Sequence, residues 1–193
     1  MSGIRFGADS FSTYEEGIKK EWIVGNGLGG YASSTIIGAG TRTYHGLLVA
    51  ASKNPPGRFV LLSSLDEEIS LNEEVYRLAS HKYPGTVFPK GFNYLSKFVL
   101  APFPLWVYQP DAFTVKKKVF VIHDSNTTCI LYDVRSRREG ALLRIIPLVN
   151  SRNFHHTVRS GELSFSQKAI PTGVELESSN GFTFSLSSST PVG

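Results

Sequence analysis

The stretch Glu21-Trp-Ile-Val-Gly25-Asn-Gly-Leu-Gly-Gly30-Tyr-Ala-Ser-Ser-Thr35-Ile-Ile-Gly-Ala-Gly40-Thr-Arg-Thr-Tyr-His45-Gly-Leu-Leu-Val-Ala50 decides how the chain is read. Six glycines, at positions 25, 27, 29, 30, 38 and 40, precede Tyr44. Such density implies positive φ or close approach of another backbone or ligand, since glycine otherwise costs conformational entropy. Gly27-Leu-Gly29-Gly-Tyr-Ala32 matches the Gly/Ala-ended dinucleotide fingerprint in spacing. That motif needs a helix opening at its third small residue and an acid about 20 residues on. Here Ala32 leads into Ser-Ser-Thr-Ile-Ile-Gly38, a β-branched, glycine-bounded strand pattern, and no acid occurs between Glu21 and Asp66. A phosphate loop is excluded as well, because no Gly-Lys-Ser/Thr follows. The segment is β structure.

Working outward, Ser12 to Glu21 has an early Ser/Thr cap, acids first and lysines last, and predicts one short helix. After Trp22-Ile-Val24 the chain reads as strands. Gly46–Ala51 and Phe59–Leu62 are continuous apolar runs separated by the turn signal Asn54-Pro-Pro-Gly57. Acid clusters at Asp66–Glu68 and Glu73–Glu74 punctuate a short pair, 69–71 and 75–79, and His81 to Pro89 reads as irregular. Runs at 94–100, 105–108, 113–122, 128–134 and 142–149 follow at sandwich-like spacing. Alternation places Phe113, Val115, Lys117 and Val119 on one face, and Thr128, Ile130, Tyr132 and Val134 on another. The tail repeats it with Leu163, Phe165 and Phe182, Phe184, Leu186. The expected fold is all-β, one large antiparallel β-sandwich over residues 1–193 with a single short N-terminal helix.

The 193 residues suffice to bury roughly 70% of the unfolded surface. The 41% apolar and 19% charged fractions are those of a globular protein, and 13 Phe with 8 Tyr favour strands. The net charge of +4 comes from scattered basic residues, with short clusters at Lys116–Lys118 and Arg135–Arg138. No nucleic-acid fold signature accompanies them, so no nucleic-acid partner is expected. No segment approaches the ~20 apolar residues of a span, so no membrane is expected either. A single cysteine, Cys129, precludes an internal disulfide and suits a cytoplasmic protein, the thiol being a buried small hydrophobe. The Ser-rich stop from Ser187 to Gly193 reads as a domain boundary.

Glycoside hydrolysis usually needs two carboxylates, about 5–5.5 Å apart for retention or 6.5–9.5 Å for inversion. All sixteen acids read as solvated, capping or turn residues, including Glu67, Glu68, Glu73 and Glu74, so no catalytic dyad is assigned. The histidines, at 45, 81, 123, 155 and 156, show no metal-ligand spacing, and adjacent His155 and His156 on a strand would point to opposite faces. No metal and no cofactor are expected.

Two blocks carry a resemblance. Glu21-Trp22 … Asn26-Gly-Leu-Gly-Gly-Tyr-Ala-Ser33 … Thr41-Arg-Thr-Tyr-His-Gly-Leu-Leu-Val-Ala50, and later Pro147-Leu-Val-Asn-Ser-Arg-Asn-Phe-His-His156, resemble the amino-terminal domain of the archaeal and bacterial glycogen-debranching enzymes, the amylo-α-1,6-glucosidases. The resemblance spans essentially the whole chain. It implies a substrate class of glycogen-like α-glucan and a partner, an (α/α)6 helical-barrel domain holding the catalytic carboxylates, to which nothing here corresponds. This chain alone is then expected to be inactive, an excised domain supplying glucan contacts or scaffolding. A free-standing carbohydrate-binding or interaction module is the alternative. Sugars are held by aromatic faces and by planar side chains matching vicinal hydroxyls. Asn26, Tyr31, Arg42, Tyr44 and His45, with Arg152, Asn153 and His155, supply that mix and are the candidate site. Against this stands a structural role, in which Arg42 and Arg152 pair with acids, Tyr31 and Trp22 are core, and the glycines shape a β-corner.

Overall fold

A computed structural model describes residues 3–190. The expected boundary at Ser187–Gly193 lies partly outside these described residues. The strands are β1 (Ile4–Gly7), β2 (Glu21–Gly25), β3 (Tyr31–Thr35), β4 (Gly46–Lys53), β5 (Pro56–Leu71), β6 (Glu74–Arg77), β7 (Ser80–Tyr83) and β8 (Thr86–Lys90). They continue with β9 (Leu95–Leu100), β10 (Pro104–Tyr108), β11 (Phe113–Val121), β12 (Thr128–Ser136), β13 (Leu142–Asn153), β14 (Phe165–Ile170), β15 (Gly173–Ser178) and β16 (Thr183–Ser187). One sheet runs β1-β9-β10-β11-β12, and a second runs β13-β5-β4-β3-β2 with β6 also on β5. A three-stranded sheet, β14-β15-β16, and the hairpin β7-β8 complete the set. Every pairing is antiparallel, as the sandwich reading requires.

The main core lies between the two large sheets. Trp22 and Trp106 meet edge-on at 5.3 Å, and each indole N–H donates to a backbone carbonyl, Thr35 O and Ile36 O. Trp22 is therefore core, as the structural alternative held. A smaller core forms on the outer face of the second sheet, where Ala50, Phe59 and Leu61 meet Phe184 of the three-stranded sheet and Phe182 just before β16. With apolar cover on both faces, Phe59–Leu62 is buried at all four positions, which is why its sequence lacks alternation.

Five readings are corrected. The single short helix is present but spans one turn, α1 (Tyr14–Gly17), rather than Ser12 to Glu21; the Thr13 hydroxyl caps it by accepting from Glu16 N–H, and Gly17 packs directly on Ile37. The acids 66–68 do not end a strand, because β5 continues through them for 16 residues, paired with β13 and β6. Residues 81–89 are the ordered hairpin β7-β8, whose closing turn uses Gly85 at φ 79°. His155 lies on a turn after β13, not on a strand, so opposite-face alternation does not govern it or His156. Cys129 is half-buried rather than buried.

The alternation of β11 is obeyed strictly, and it carries Lys117 into the core with Phe113, Val115 and Val119. Lys117 is 8% exposed, and Glu67, read as a turn residue, is 2% exposed. The ammonium stands 2.6 Å from Glu67 Oε1 and 5.7 Å from the centre of the Trp106 ring, and Tyr132 O–H donates to the same oxygen. Burial and then the Glu67 charge push the Tyr132 phenol far above its usual range. A carboxylate in a strand interior is satisfied here by the only core-facing residue of β11 that can pay its charge.

Candidate functional site

The glycine loop between β2 and β3 is built around Asn26, which is 2% exposed. Its Nδ2 donates to Ser125 O at 2.9 Å and Asn126 Oδ1 at 3.2 Å, its Oδ1 accepts from Leu28 N–H, and its own carbonyl accepts from Asp124 N–H at 2.7 Å. The β11-β12 hairpin tip thereby docks on the loop. Asn126 extends this by pairing with β4 as a backbone would, Oδ1 accepting from Ala51 N–H at 3.0 Å and Nδ2 donating to Ala51 O at 2.8 Å. The close approach foreseen from the glycines is thus made in part by the chain itself. Every polar atom of the Asn26 side chain is engaged, so Asn26 shapes the site from behind.

Tyr31 and Tyr44 bring the first block to the second. Tyr31 O–H donates to Tyr44 O at 2.8 Å. Tyr44, 42% exposed, places its hydroxyl 3.1 Å from His155 Nδ1 and its ring edge-on to Phe154 at 5.2 Å. The His155 ring packs tilted against Phe154 at 4.1 Å, and its backbone N–H donates to Asn153 Oδ1. Arg152 reaches back to His156 O at 2.9 Å, with no carboxylate partner among the described residues. Burial pulls its pKa below the usual guanidinium value. Tyr31, Tyr44, Arg152, Asn153 and His155 are therefore brought together, five of the eight candidate residues.

Arg42 and His45 form a separate cluster on Glu21. Arg42 Nε donates to Glu21 Oε1 at 2.6 Å, so this arginine does pair with an acid. His45 is 5% exposed, and its Nδ1 accepts from Thr41 N–H at 3.1 Å. A backbone N–H can only donate, so the neutral ring carries its proton on Nε2. That Nε2 is 3.6 Å from Glu21 Oε1, beyond hydrogen-bond reach, and has no other partner among the described residues.

Burial lowers the His45 pKa, with Glu21 opposing and Arg42 reinforcing. The unfolded chain takes up a proton near pH 6.5 while the folded ring stays neutral, so the unfolded state binds more protons below that value. Stability then falls as pH drops from about 6.5 toward the lowered folded pKa. We expect the urea midpoint to decrease from neutral to mildly acidic pH, and His45→Gln to remove part of that decrease; an unchanged slope in the variant would exclude His45 as its source.

Beside the tyrosines lies a cleft of about 450 Å³ lined by Ile23, Gly25, Gly27, Gly29, Gly30, Tyr31 and Arg58. Arg58 Nε donates to Gly29 O and its guanidinium lies 5.5 Å from the centre of the Phe154 ring. Sequence reasoning missed Arg58, Phe154 and Glu21 as site residues. Phe154 and Glu21 lay inside the two quoted blocks, where aromatic and acidic character was the available signal. Arg58, next to a Pro-Pro-Gly turn, gave none, because its position depends on β5 pairing with β13.

A family model described as glycogen debranching enzyme N terminal matches residues 20–192, nearly the whole chain. No curated protein matches, and no solved structure does.

Proposed function

We propose, on the premise that this chain belongs to the glycogen debranching enzyme N-terminal family, that it is the non-catalytic glucan-contacting domain of an amylo-α-1,6-glucosidase. The observation carrying this reading is the exposed Tyr44–His155 pair, 111 residues apart in sequence and joined at 3.1 Å, which fuses both motif blocks into one aromatic and polar face. Such a face offers ring surface for a pyranose and fixed donors and acceptors for its hydroxyls. Three of the more shielded acids are committed to structural pairs, which favours a non-catalytic role. Glu67 is spent on Lys117, Glu21 on Arg42, and Glu68 on Arg77 and Arg144. A general acid needs a carboxyl free to give its proton to the leaving oxygen.

The chemistry of bond cleavage then belongs to a helical-barrel domain of the same protein. Exposed Ile23 and Leu28 beside the glycine cleft supply apolar surface that such a partner would cover. The whole assembly is assigned to the reducing cytoplasm, in keeping with one unpaired thiol and no disulfide. Among the described residues, no helix is long and apolar enough to cross a membrane.

The test is an NMR titration with maltoheptaose and a branched α-1,6 oligosaccharide. Saturable shifts should cluster at Tyr31, Tyr44 and Arg152–His155, and Tyr44→Ala should weaken binding about tenfold, the loss of one stacked aromatic contact. Absence of shifts with both sugars would leave the domain a scaffold.

A further inference from the structure

Two guanidinium groups stand near Tyr31 without a carboxylate. Among the described residues neither Arg58 nor Arg152 has an acidic oxygen within 4.0 Å, whereas Arg42, Arg77 and Arg144 each do. Both are nevertheless held in place. Arg58 is fixed by Gly29 O and by stacking over Phe154, and Arg152 by His156 O. Each has five N–H donors and spends one on these carbonyls, so four remain.

The strand register brings the two together. Arg152 lies opposite Val60 on β5, and Arg58 is two residues away on the same face, its carbonyl accepting from Phe154 N–H at 3.0 Å. Diagonal neighbours of that kind are within reach of long side chains, and like charges so placed repel. The half-buried Tyr31 phenol sits in the positive field of both. A fold that fixes two such cations around one phenol, with no acid between them, is complementary to an anion.

The cleft is lined by Arg58 and Tyr31, with Arg152 outside its lining but near the Tyr31 phenol, and it has room for more than an inorganic ion. Its glycine floor contributes Gly27 and Gly29, whose backbone N–H groups donate to no protein acceptor among the described residues. His123 and Asp124 lie against Gly27, with His123 Cε1 2.7 Å and Asp124 Oδ1 3.0 Å from the position a Cβ there would take. The Gly27 end thus carries a ring and a carboxylate suited to hydroxyl groups, and the Arg58 end carries the cation. We infer that this cleft binds a hexose phosphate, with phosphoryl oxygens on Arg58 and Arg152 and the sugar against Tyr31 and the glycine floor. The inference shares with the preceding reading only the assumption that this face meets sugar.

Calorimetry at low ionic strength, with glucose 1-phosphate, inorganic phosphate, glucose and maltoheptaose as separate probes, tests it. Glucose 1-phosphate should bind saturably, about tenfold more tightly than inorganic phosphate, and glucose should not bind below about 10 mM. Arg58→Gln and Arg152→Gln should each weaken glucose 1-phosphate about tenfold or more, and Arg58→Lys should recover only part of the loss, because a point charge lacks the bidentate fork. Unchanged thermal midpoints in these variants would confirm that the fold is intact. Equal affinity for phosphate and glucose 1-phosphate would overturn the sugar component, and variants that bind like the parent would overturn the site. Maltoheptaose bound without glucose 1-phosphate would defeat this inference alone; the reverse would defeat the glucan reading alone.

Discussion

Lys117→Ala lowers the stability of the fold by about 3–5 kcal/mol, the cost of stranding one member of a buried ion pair. For a chain of this size that corresponds to a drop on the order of 10 °C in thermal midpoint. The reason is geometric. Glu67 is 2% exposed and has Lys117 as its cation, while Tyr132 contributes one neutral donor to the same oxygen. Alanine leaves that carboxylate among Trp106, Tyr108 and Leu78 with no counter-charge. Glu67→Leu combined with Lys117→Met should restore most of the loss, since desolvating two charges offsets most of their attraction. Urea denaturation of the two variants decides it. A single variant as stable as the parent would mean the pair is solvated and its burial unimportant.

Gly30→Ala is expected to cost about 3 kcal/mol, the upper part of the range for overpacking a fixed site. A Cβ there would stand 2.7 Å from Asn26 Nδ2, 2.8 Å from Val49 O and 3.0 Å from Asn126 Oδ1. Val49 O belongs to a central strand, and both asparagines are committed to the docked hairpin, so no neighbour can yield cheaply. Hydrogen exchange at Ala51 N–H, which Asn126 accepts, should accelerate in the variant. Gly40→Ala is the control, having nothing within 4 Å and no positive φ, and should be near neutral. If Gly30 serves only a ligand, the variant stays as stable as the parent and loses sugar or phosphate binding alone.

Much of this architecture was legible because burial writes a period into the chain. The β-branched run after Ala32 separated a strand from a nucleotide-binding helix, and the spacing of apolar runs anticipated both large sheets. Legibility failed where the pattern was carried by polar residues. Asp66–Glu68 looked like a turn because charges usually punctuate, yet Glu67 faces inward against a lysine 50 positions later in the chain. That partnership was half visible, since alternation already put Lys117 on an apolar face. The hairpin at 80–90 was hidden by its brevity and by Pro89.

The site was legible as a set of residue types but not as a division of labour. Both blocks were singled out, and Tyr44 with His155 joins them. Their members separate into builders and presenters only in three dimensions. Asn26 faces inward to hold the hairpin tip, Arg42 and His45 gather on Glu21, and Arg58 enters from a turn. No spacing rule expresses which of two equally polar side chains points at its own backbone. The family match supports the domain's identity.

The docking of Asn26 on Ser125 and Asn126 joins residues about 100 positions apart. Synthesis on a ribosome adds about 5–20 residues per second. Roughly 5–20 s therefore separate the appearance of the glycine loop from that of its clasp. Through that interval β2, β3 and β4 exist without the hairpin that closes them, and their apolar face has only itself or another nascent chain to meet. The motif that marks the domain is made well before the hairpin that secures it. Its vulnerability to aggregation is greatest while the chain is still growing, and slowing translation beyond β5 should lower the yield of folded protein.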